Sequence, residues 1–139
     1  MDSFNIISFG KKEENLKSSL AHGVIGSSLS TFKSNVAFNA SIFFHCNAMI
    51  WGIAKISSSY FYSEEKIWED KIYPHRFKIS NIELFNQPIP LSDGIINKAF
   101  REQFGTGWAY KFIFTPKPVP SDIVALILDA VKKQNEVSA

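Results

Sequence analysis

Trp68 and Tyr73 lie five positions apart in a polar, proline-containing segment, KIWEDKIYPHRFK at residues 66–78. Aromatic rings in such a segment can fold back as a lid over the core, or they can form the walls of a slot for a flat ligand. A nucleobase stacked on an aromatic ring gains about 1–3 kcal/mol. An aromatic cage also suits a methylated group, because burying one carbon contributes about 0.8 kcal/mol. The residue types and their spacing are compatible with both a lid and a slot.

Residues typical of catalysis or metal binding are not grouped in the sequence. The histidines His22, His45 and His75 have no ligand partner at metal-binding spacing, and Cys46 is the only cysteine. The sequence contains no G-x-S-x-G motif, no P-loop and no G-x-G-x-x-G motif. The carboxylates around Trp68 are typical of a solvated loop. The sequence therefore predicts a non-enzymatic protein without metal or cofactor.

Length and composition are those of one globular domain spanning residues 1–139. The chain is 45% hydrophobic and 20% charged, which is sufficient for a buried core. Its 15 Lys and Arg against 13 Asp and Glu give a net charge of +2, which neither requires nor excludes nucleic-acid binding. No apolar run reaches the length of a membrane span and no signal-peptide pattern is present, so we expect a cytoplasmic protein without membrane contact.

Hydrophobic periodicity indicates the elements that must position the aromatic segment. It predicts strands at 4–9, 41–46, 49–57, 76–80 and 108–114. Helices are predicted at 13–22, at 96–103 and from Ser121 onward, with Gly23 and Gly105 ending the first two. Residues 26–35 and 86–94 are predicted to be connections. This order lacks the alternation of a doubly wound sheet, so it predicts an α+β fold, a small mixed or antiparallel β-barrel with flanking helices.

Two segments resemble EVE and YTH domains, which belong to the PUA-like superfamily of small β-barrels. WGIAKISSSYFYSEEKIWEDKIYPHRFKI, residues 51–79, is similar to the EVE pattern of a strand, a loop with I-W-x-D, and Y-P-x-R-F before the next strand. FNIISFGKKEENLKSSLAHGVIGSS, residues 4–28, is similar to the first strand, helix and turn of both groups. The resemblance runs from about Phe4 to Ile82 and is general after that.

The resemblance implies a reader that flips a modified base into an aromatic cage. YTH domains bind N6-methyladenine, and some EVE-like domains form the N-terminal specificity domain of McrBC-type, modification-dependent restriction systems. Carried over by motif, Trp68 and Tyr73 would be cage walls. Ile25 stands where YTH domains place a third tryptophan, so this wall would be softer.

Other pocket residues are implied by the same resemblance. Main-chain groups at Ile25, Gly26 and Ser27 would hydrogen-bond the edge of the base. Asn15 would also contact the base, and Phe9 would lie near the pocket floor. Phosphate groups would be bound by Lys11, Lys12, Lys33 and Arg76, although Arg76 is also placed to pair with Glu69 or Asp70.

The sequence thus predicts a nucleic-acid reader of N6-methyladenine or a methylated cytosine. We favour DNA over RNA as the partner, with the domain serving a restriction system and acting with an AAA+ or nuclease partner or fused domain. One alternative is a stand-alone reader of modified RNA. Another is a protein-interaction or small-molecule module whose aromatic loop is packed. An enzyme that uses Glu69 or Asp70 on a bound base is the remotest alternative.

Overall fold

A curled six-stranded sheet forms the centre of the molecule and is flanked by helices. The computed structural model describes residues 3–92 and 94–136. Its strands are β1 (Phe4–Ser8), β2 (Val24–Ser27), β3 (Ser41–Cys46), β4 (Met49–Ile56), β5 (Phe61–Tyr62) and β6 (His75–Pro90). Its helices are α1 (Glu13–His22), α2 (Phe32–Asn35), α3 (Gly94–Phe104) and α4 (Ser121–Glu136), with a π-helical turn at Tyr110–Phe114.

The strand order is β1-β3-β4-β6-β2, and β5 pairs with β6. Strands β1 and β3 run parallel, whereas the other pairings among the described strands are antiparallel. The result is a half-barrel with helices against it. This architecture confirms the predicted α+β class.

Strand β3 is buried on both faces because its alternate residues supply two separate hydrophobic cores. Phe43 packs in a core with residues of α3 and α4, including Phe100. Its neighbours Ile42 and Phe44 face the opposite side and pack in a core with β2 and α2. All six residues of the strand are buried. This double burial fixes the strand between β1 and β4.

Helix α1 has the predicted bounds, and its end has a clear cause. Gly23 follows the last helical residue with φ of 66°, a left-handed conformation that glycine adopts without steric cost. Its amide donates to the Ser19 carbonyl at 2.8 Å. The chain then turns directly into β2, a four-residue strand paired antiparallel with the start of β6. This strand was not predicted, because the polar residues from position 26 onward are typical of a connection.

The predicted loop at 86–94 is wrong, because β6 continues through Pro90. Over this second half β6 pairs with β4, and no second described strand flanks it there. A proline is tolerated in such a strand, since its missing N–H can fall on the side that needs no ladder hydrogen bond.

The predicted strand at 108–114 is also wrong. Its aromatic residues recur at every second position, which is typical of a strand, but the segment folds as a helical turn. Trp108 and Phe112 are buried, whereas Tyr110 and Phe114 are 74% and 64% exposed. Because residues four apart share one helix face, both pairs satisfy helical spacing as well. Trp108 stacks on Phe100 of α3, with ring centroids 4.2 Å apart, and this contact favours the helical form.

No helix in residues 3–92 or 94–136 has the length and apolar character needed to cross a membrane.

The core between sheet and C-terminal helices gives a stability test. Phe100 is fully buried and contacts the rings of Trp108 and Phe112. We expect Phe100→Ala to lower the free energy of unfolding by about 3–5 kcal/mol, because it removes buried contacts and leaves a cavity. Ile95 lies on the same helix but is 66% exposed, so Ile95→Ala should cost less than about 0.5 kcal/mol. Urea unfolding measures both, and equal effects would contradict this account of the core.

Candidate functional site

Residues 63–74, which connect β5 to β6 and carry Trp68 and Tyr73, are called the aromatic loop. A cleft of about 290 Å³ opens between the β1–α1 connection, the aromatic loop and the π-helical turn. We call it the aromatic cleft. Five of its residues were predicted as pocket residues, and a sixth was predicted to bind phosphate. The predicted ones are Phe9, Asn15, Gly26, Trp68, Tyr73 and Lys12, and the cleft is completed by Ser8, Gly10, Ile113 and Phe114.

Trp68 is anchored at the base of the cleft. Its side chain is only 2% exposed, and its Nε1 donates to Ser19 Oγ of α1 at 3.0 Å. The guanidinium carbon of Arg76 lies 5.1 Å from the Trp68 ring centroid, which adds a cation–π contact. Gly26 lies against the ring edge, where a Cβ would come within 2.5 Å of Trp68 Cη2. Trp68 therefore supports the cleft from below and offers little free ring surface.

Arg76 is almost completely buried, with 1% of its surface exposed. Its Nε donates to the Tyr73 carbonyl at 2.9 Å, and its Nη2 donates to the Glu65 carbonyl. Burial lowers the pKa of Arg76, while the Glu65 charge acts in the opposite direction. These contacts hold both ends of the aromatic loop to β6. They support a structural role rather than the phosphate contact or the pairing with Glu69 or Asp70 suggested by the sequence.

Tyr73 is held by a polar cluster at the mouth of the cleft. Its hydroxyl donates to Asp70 Oδ2 at 2.5 Å, and Asn15 Nδ2 donates to the Tyr73 hydroxyl at 3.4 Å. Lys12 Nζ lies 2.8 Å from the same Asp70 oxygen. The cluster joins α1, through Asn15, to the aromatic loop. It fixes the Tyr73 ring while leaving it partly exposed.

Titration of the cluster follows from these contacts. Burial alone would raise the pKa of Asp70, but hydrogen bonds from Lys12, Tyr73 and Asn15 outweigh it and hold that pKa well below its ordinary range. Burial raises the pKa of Tyr73, and the hydrogen bond to Asp70 adds to the increase. The hydrogen bond to Asp70 also raises the pKa of Lys12. Near neutral pH the cluster therefore contains a carboxylate, an ammonium group and a neutral phenol.

The two loop aromatics form a corner, not the parallel walls of a slot. Their ring planes are perpendicular and the centroids lie 5.3 Å apart. Phe114 and Ile113, which the sequence analysis assigned to a strand, complete the cleft. Because Tyr73 is partly exposed and a cleft opens beside both rings, the geometry favours a ligand site over a simple lid.

Several predicted pocket and phosphate residues lie elsewhere. Ile25 is fully buried in the core beside α2 and does not line the aromatic cleft. The β-strand alternation of β2 explains this, because Gly26 rather than Ile25 faces the cleft. The Ser27 hydroxyl accepts from the Leu29 amide at 3.0 Å, and Ser27 does not line the cleft. Lys33 Nζ lies 5.2 Å from the centroid of Tyr60, outside the cleft lining.

Charges beside the cleft are mixed. An adjoining groove is lined by Asn15 and by six charged residues, Lys11, Lys12, Glu13, Glu14, Glu69 and Asp70. Four carboxylates thus face two lysines, one of which is paired with Asp70. Within the described parts of the chain, no group of three or more His, Cys, Asp or Glu side chains could hold a metal ion.

Comparison with solved structures identifies the architecture. The chain superposes on the YTH domain of the Zygosaccharomyces rouxii MRB1 protein in complex with N6-methyladenosine RNA, with a TM-score of 0.60 and 20% identity over 94% of this chain and 87% of that one. The Pho92 YTH domain in complex with m6A gives a TM-score of 0.55 and 20% identity over 94% and 86% of the two chains. A hypothetical protein from Leishmania major gives 0.61 and 8% identity over 96% and 97%.

The fold is that of the YTH domains. The resemblance predicted from the sequence is thereby confirmed at the level of the fold. No protein-family model and no curated protein sequence matches the chain. Within this fold, Trp68 and Tyr73 line the aromatic cleft.

The contact between Gly26 and Trp68 gives a test of the cleft base. A Cβ at Gly26 would lie 2.5 Å from Trp68 Cη2 and 2.9 Å from the Tyr73 carbonyl oxygen. We expect Gly26→Ala to displace the Trp68 ring and to destabilise the fold by about 1–3 kcal/mol. The matched control is Gly107→Ala, because nothing lies within 4 Å of a Cβ there. Chemical unfolding and tryptophan fluorescence measure the effect, and a Gly26→Ala protein identical to wild type would contradict it.

The cluster around Asp70 gives a pH-dependent test. Because the folded-state pKa is below the unfolded value of about 3.9, the carboxylate stabilises the fold above that pH, and the stabilisation is lost as pH falls through the folded-state pKa. We expect Asp70→Asn to be less stable than wild type at about pH 6. The difference should shrink at about pH 2. Denaturant unfolding at both pH values measures this, and a difference that is independent of pH would exclude an ionic role for Asp70.

Proposed function

We propose that the protein is a non-catalytic reader that recognises N6-methyladenine in RNA by holding the flipped base in the aromatic cleft. The observation that carries the proposal is the corner of Trp68 and Tyr73, which opens into a cleft on a YTH fold. Taking a base out of its stack requires a replacement surface for its faces and a few polar groups for its edge. The aromatic cleft contains both kinds of group.

Stacking surface comes from the exposed aromatics. Tyr73 is partly exposed and Phe114 is 64% exposed, so both can contact a base that enters the cleft. Trp68 supports the cleft from below, and the partly exposed ring of Tyr73 and the exposed ring of Phe114 give the apolar surface against which a methyl group is favourable. Burying such a group contributes about 0.8 kcal/mol. A methylated base therefore gains over the unmodified one if its methyl points into the corner.

Polar recognition is assigned to Asn15. Its Nδ2 donates to Tyr73, while its Oδ1 has no hydrogen-bond donor among the described residues. N6-methyladenine keeps one N–H on N6, and a carboxamide oxygen is a suitable acceptor for it. Asn15 is 7% exposed, and a well-placed donor to its oxygen contributes about 0.5–1.5 kcal/mol.

RNA is favoured over DNA by the comparison structures. The MRB1 domain with this fold was solved in complex with N6-methyladenosine RNA. The prediction of a DNA reader in a restriction system, with an AAA+ or nuclease partner, has no corresponding support. Methylated cytosine has none either.

Fluorescence anisotropy tests the proposal directly. Matched RNA and DNA oligonucleotides carry adenine, N6-methyladenine or 5-methylcytosine at one position. We expect the N6-methyladenine RNA to bind wild type at least about tenfold more tightly than the unmodified RNA, equivalent to about 1.4 kcal/mol. Tyr73→Ala should lose this preference, whereas Tyr73→Phe, which keeps the ring, should retain most of it.

Tyr62→Ala is the control, because Tyr62 is a 57% exposed tyrosine that does not line the cleft. Equal binding of modified and unmodified RNA by wild type would overturn the proposal. A preference confined to modified DNA would instead support the reader originally predicted from the sequence.

A further inference from the structure

A second recess of about 450 Å³ adjoins the aromatic cleft and has no role in the proposed function. Its surface is mostly apolar and includes Leu91, Trp108 and Ile113. The polar and charged side chains that line it are those of Ser8, Lys11, His45, Asn47 and Ser92. A largely apolar recess with a few polar groups is the usual composition of a site for a small organic group. We call it the second recess.

The walls of the second recess are held in place by the β3–β4 turn. Asn47 and Ala48 both have positive φ, 53° and 63°. For alanine this conformation has a steric cost. The turn is nevertheless fixed, because the Asn47 amide donates to the Gly10 carbonyl at 2.8 Å and the Leu91 amide donates to the Ala48 carbonyl at 3.0 Å. The recess is therefore formed before any ligand binds.

Four residues line both the aromatic cleft and the second recess, namely Ser8, Gly10, Ile113 and Phe114. Phe114 is the most exposed large side chain of the four. Its ring contacts that of Tyr110, with centroids 5.3 Å apart. Phe114 thus borders both recesses.

The charged residues around the aromatic cleft favour one path for an RNA strand that extends out of the cleft. The adjoining groove on the α1 side contains Glu13, Glu14, Glu69 and Asp70. None of the residues that line the second recess is acidic. Lys11 borders both the second recess and this groove. Lys11 makes no ion pair within the described residues. A phosphate chain is therefore disfavoured over the four carboxylates of the groove and favoured over the second recess, whose lining contains Lys11 and no carboxylate.

We propose that the second recess binds the base of the nucleotide next to the flipped N6-methyladenine, with the ring of Phe114 between the two bases. The inference rests on the proposed function, since it assigns the neighbouring nucleotide of the same strand. Trp108 and Leu91 supply apolar contact for this base. His45 supplies a polar contact, because its Nδ1 is paired with Ser8 Oγ at 2.9 Å while Nε2 has no partner among the described residues.

Competition binding with short ligands tests this assignment. The ligands are the nucleoside N6-methyladenosine, an RNA trinucleotide with N6-methyladenosine at its centre, and two trinucleotides with an abasic site on the 5′ or the 3′ side. We expect wild type to bind the full trinucleotide at least about tenfold more tightly than the nucleoside. An abasic site on one side should remove most of this gain, although every phosphate is still present.

Two variants restrict the second recess without altering the aromatic cleft. Ser92 and Ala109 line the second recess alone, and Ser92 is exposed. Ser92→Trp and Ala109→Leu should bind the nucleoside like wild type but lose most of the trinucleotide gain. The affinity of both variants for the trinucleotide should also be unchanged when the neighbouring base is replaced by an abasic site. The protein variant and the abasic ligand together form a double-mutant cycle. Ser57→Trp is the control, because Ser57 is exposed and lines neither recess.

The outcomes separate the inference from the proposed function. If wild type binds the nucleoside but gains nothing from the neighbouring bases, or if both variants keep the full gain, the second recess is not a base site and only this inference is overturned. If wild type binds neither the nucleoside nor the trinucleotide, the proposed function has failed and the inference fails with it.

Discussion

The aromatic loop depends on one buried guanidinium. Arg76 stands at the start of β6, contacts the ring of Trp68 and donates hydrogen bonds to the carbonyls of Tyr73 and Glu65. A buried charge is costly unless its donors are satisfied. Here the carbonyls of the loop satisfy the guanidinium, so the loop cannot move away without exposing Arg76 or leaving it unpaired. The same residue thereby fixes the loop backbone and the ring at the base of the cleft.

The sheet places this anchored loop opposite the other two walls of the cleft. Strand β2 brings Gly26 beside β6, with Gly26 in register with Arg76, so the residue without a side chain lies where Trp68 needs room. Strand β1 delivers Ser8 and Phe9 to the same region, and β3 holds β1 in place through its two cores. The helical turn at 110–114 then closes the cleft with Phe114. Four distant segments of the chain meet at the cleft, and the sheet order brings three of them together.

Short-range sequence patterns were sufficient to predict some elements of the fold and of the cleft, whereas others depend on tertiary contacts. The end of α1 at Gly23 depends on a short-range pattern and could be predicted. The five-residue spacing of Trp68 and Tyr73 likewise made it possible to predict that the two rings lie together. The aromatic repeat at 108–114 fits either a strand or a helix, so its conformation is decided by the stacking of Trp108 on Phe100. For the same reason Phe114 could not be predicted as a cleft residue. Burial of Arg76 depends on carbonyls of the folded loop, which a sequence pattern does not reveal.

The free energy gained by stacking one base is smaller than the cost of association, so a single recess would not be enough for the proposed RNA reader. A stacked base contributes about 1–3 kcal/mol, whereas association costs about 4–15 kcal/mol in lost translational and rotational freedom. Charge adds little here, because Lys12 is paired with Asp70 and four carboxylates line the adjoining groove. For the proposed RNA reader, apolar contacts to further nucleotides would then supply much of the affinity. The exposed rings of Phe114 and Tyr110, which are located beside the cleft and outside the core, are the surfaces best placed to make those contacts.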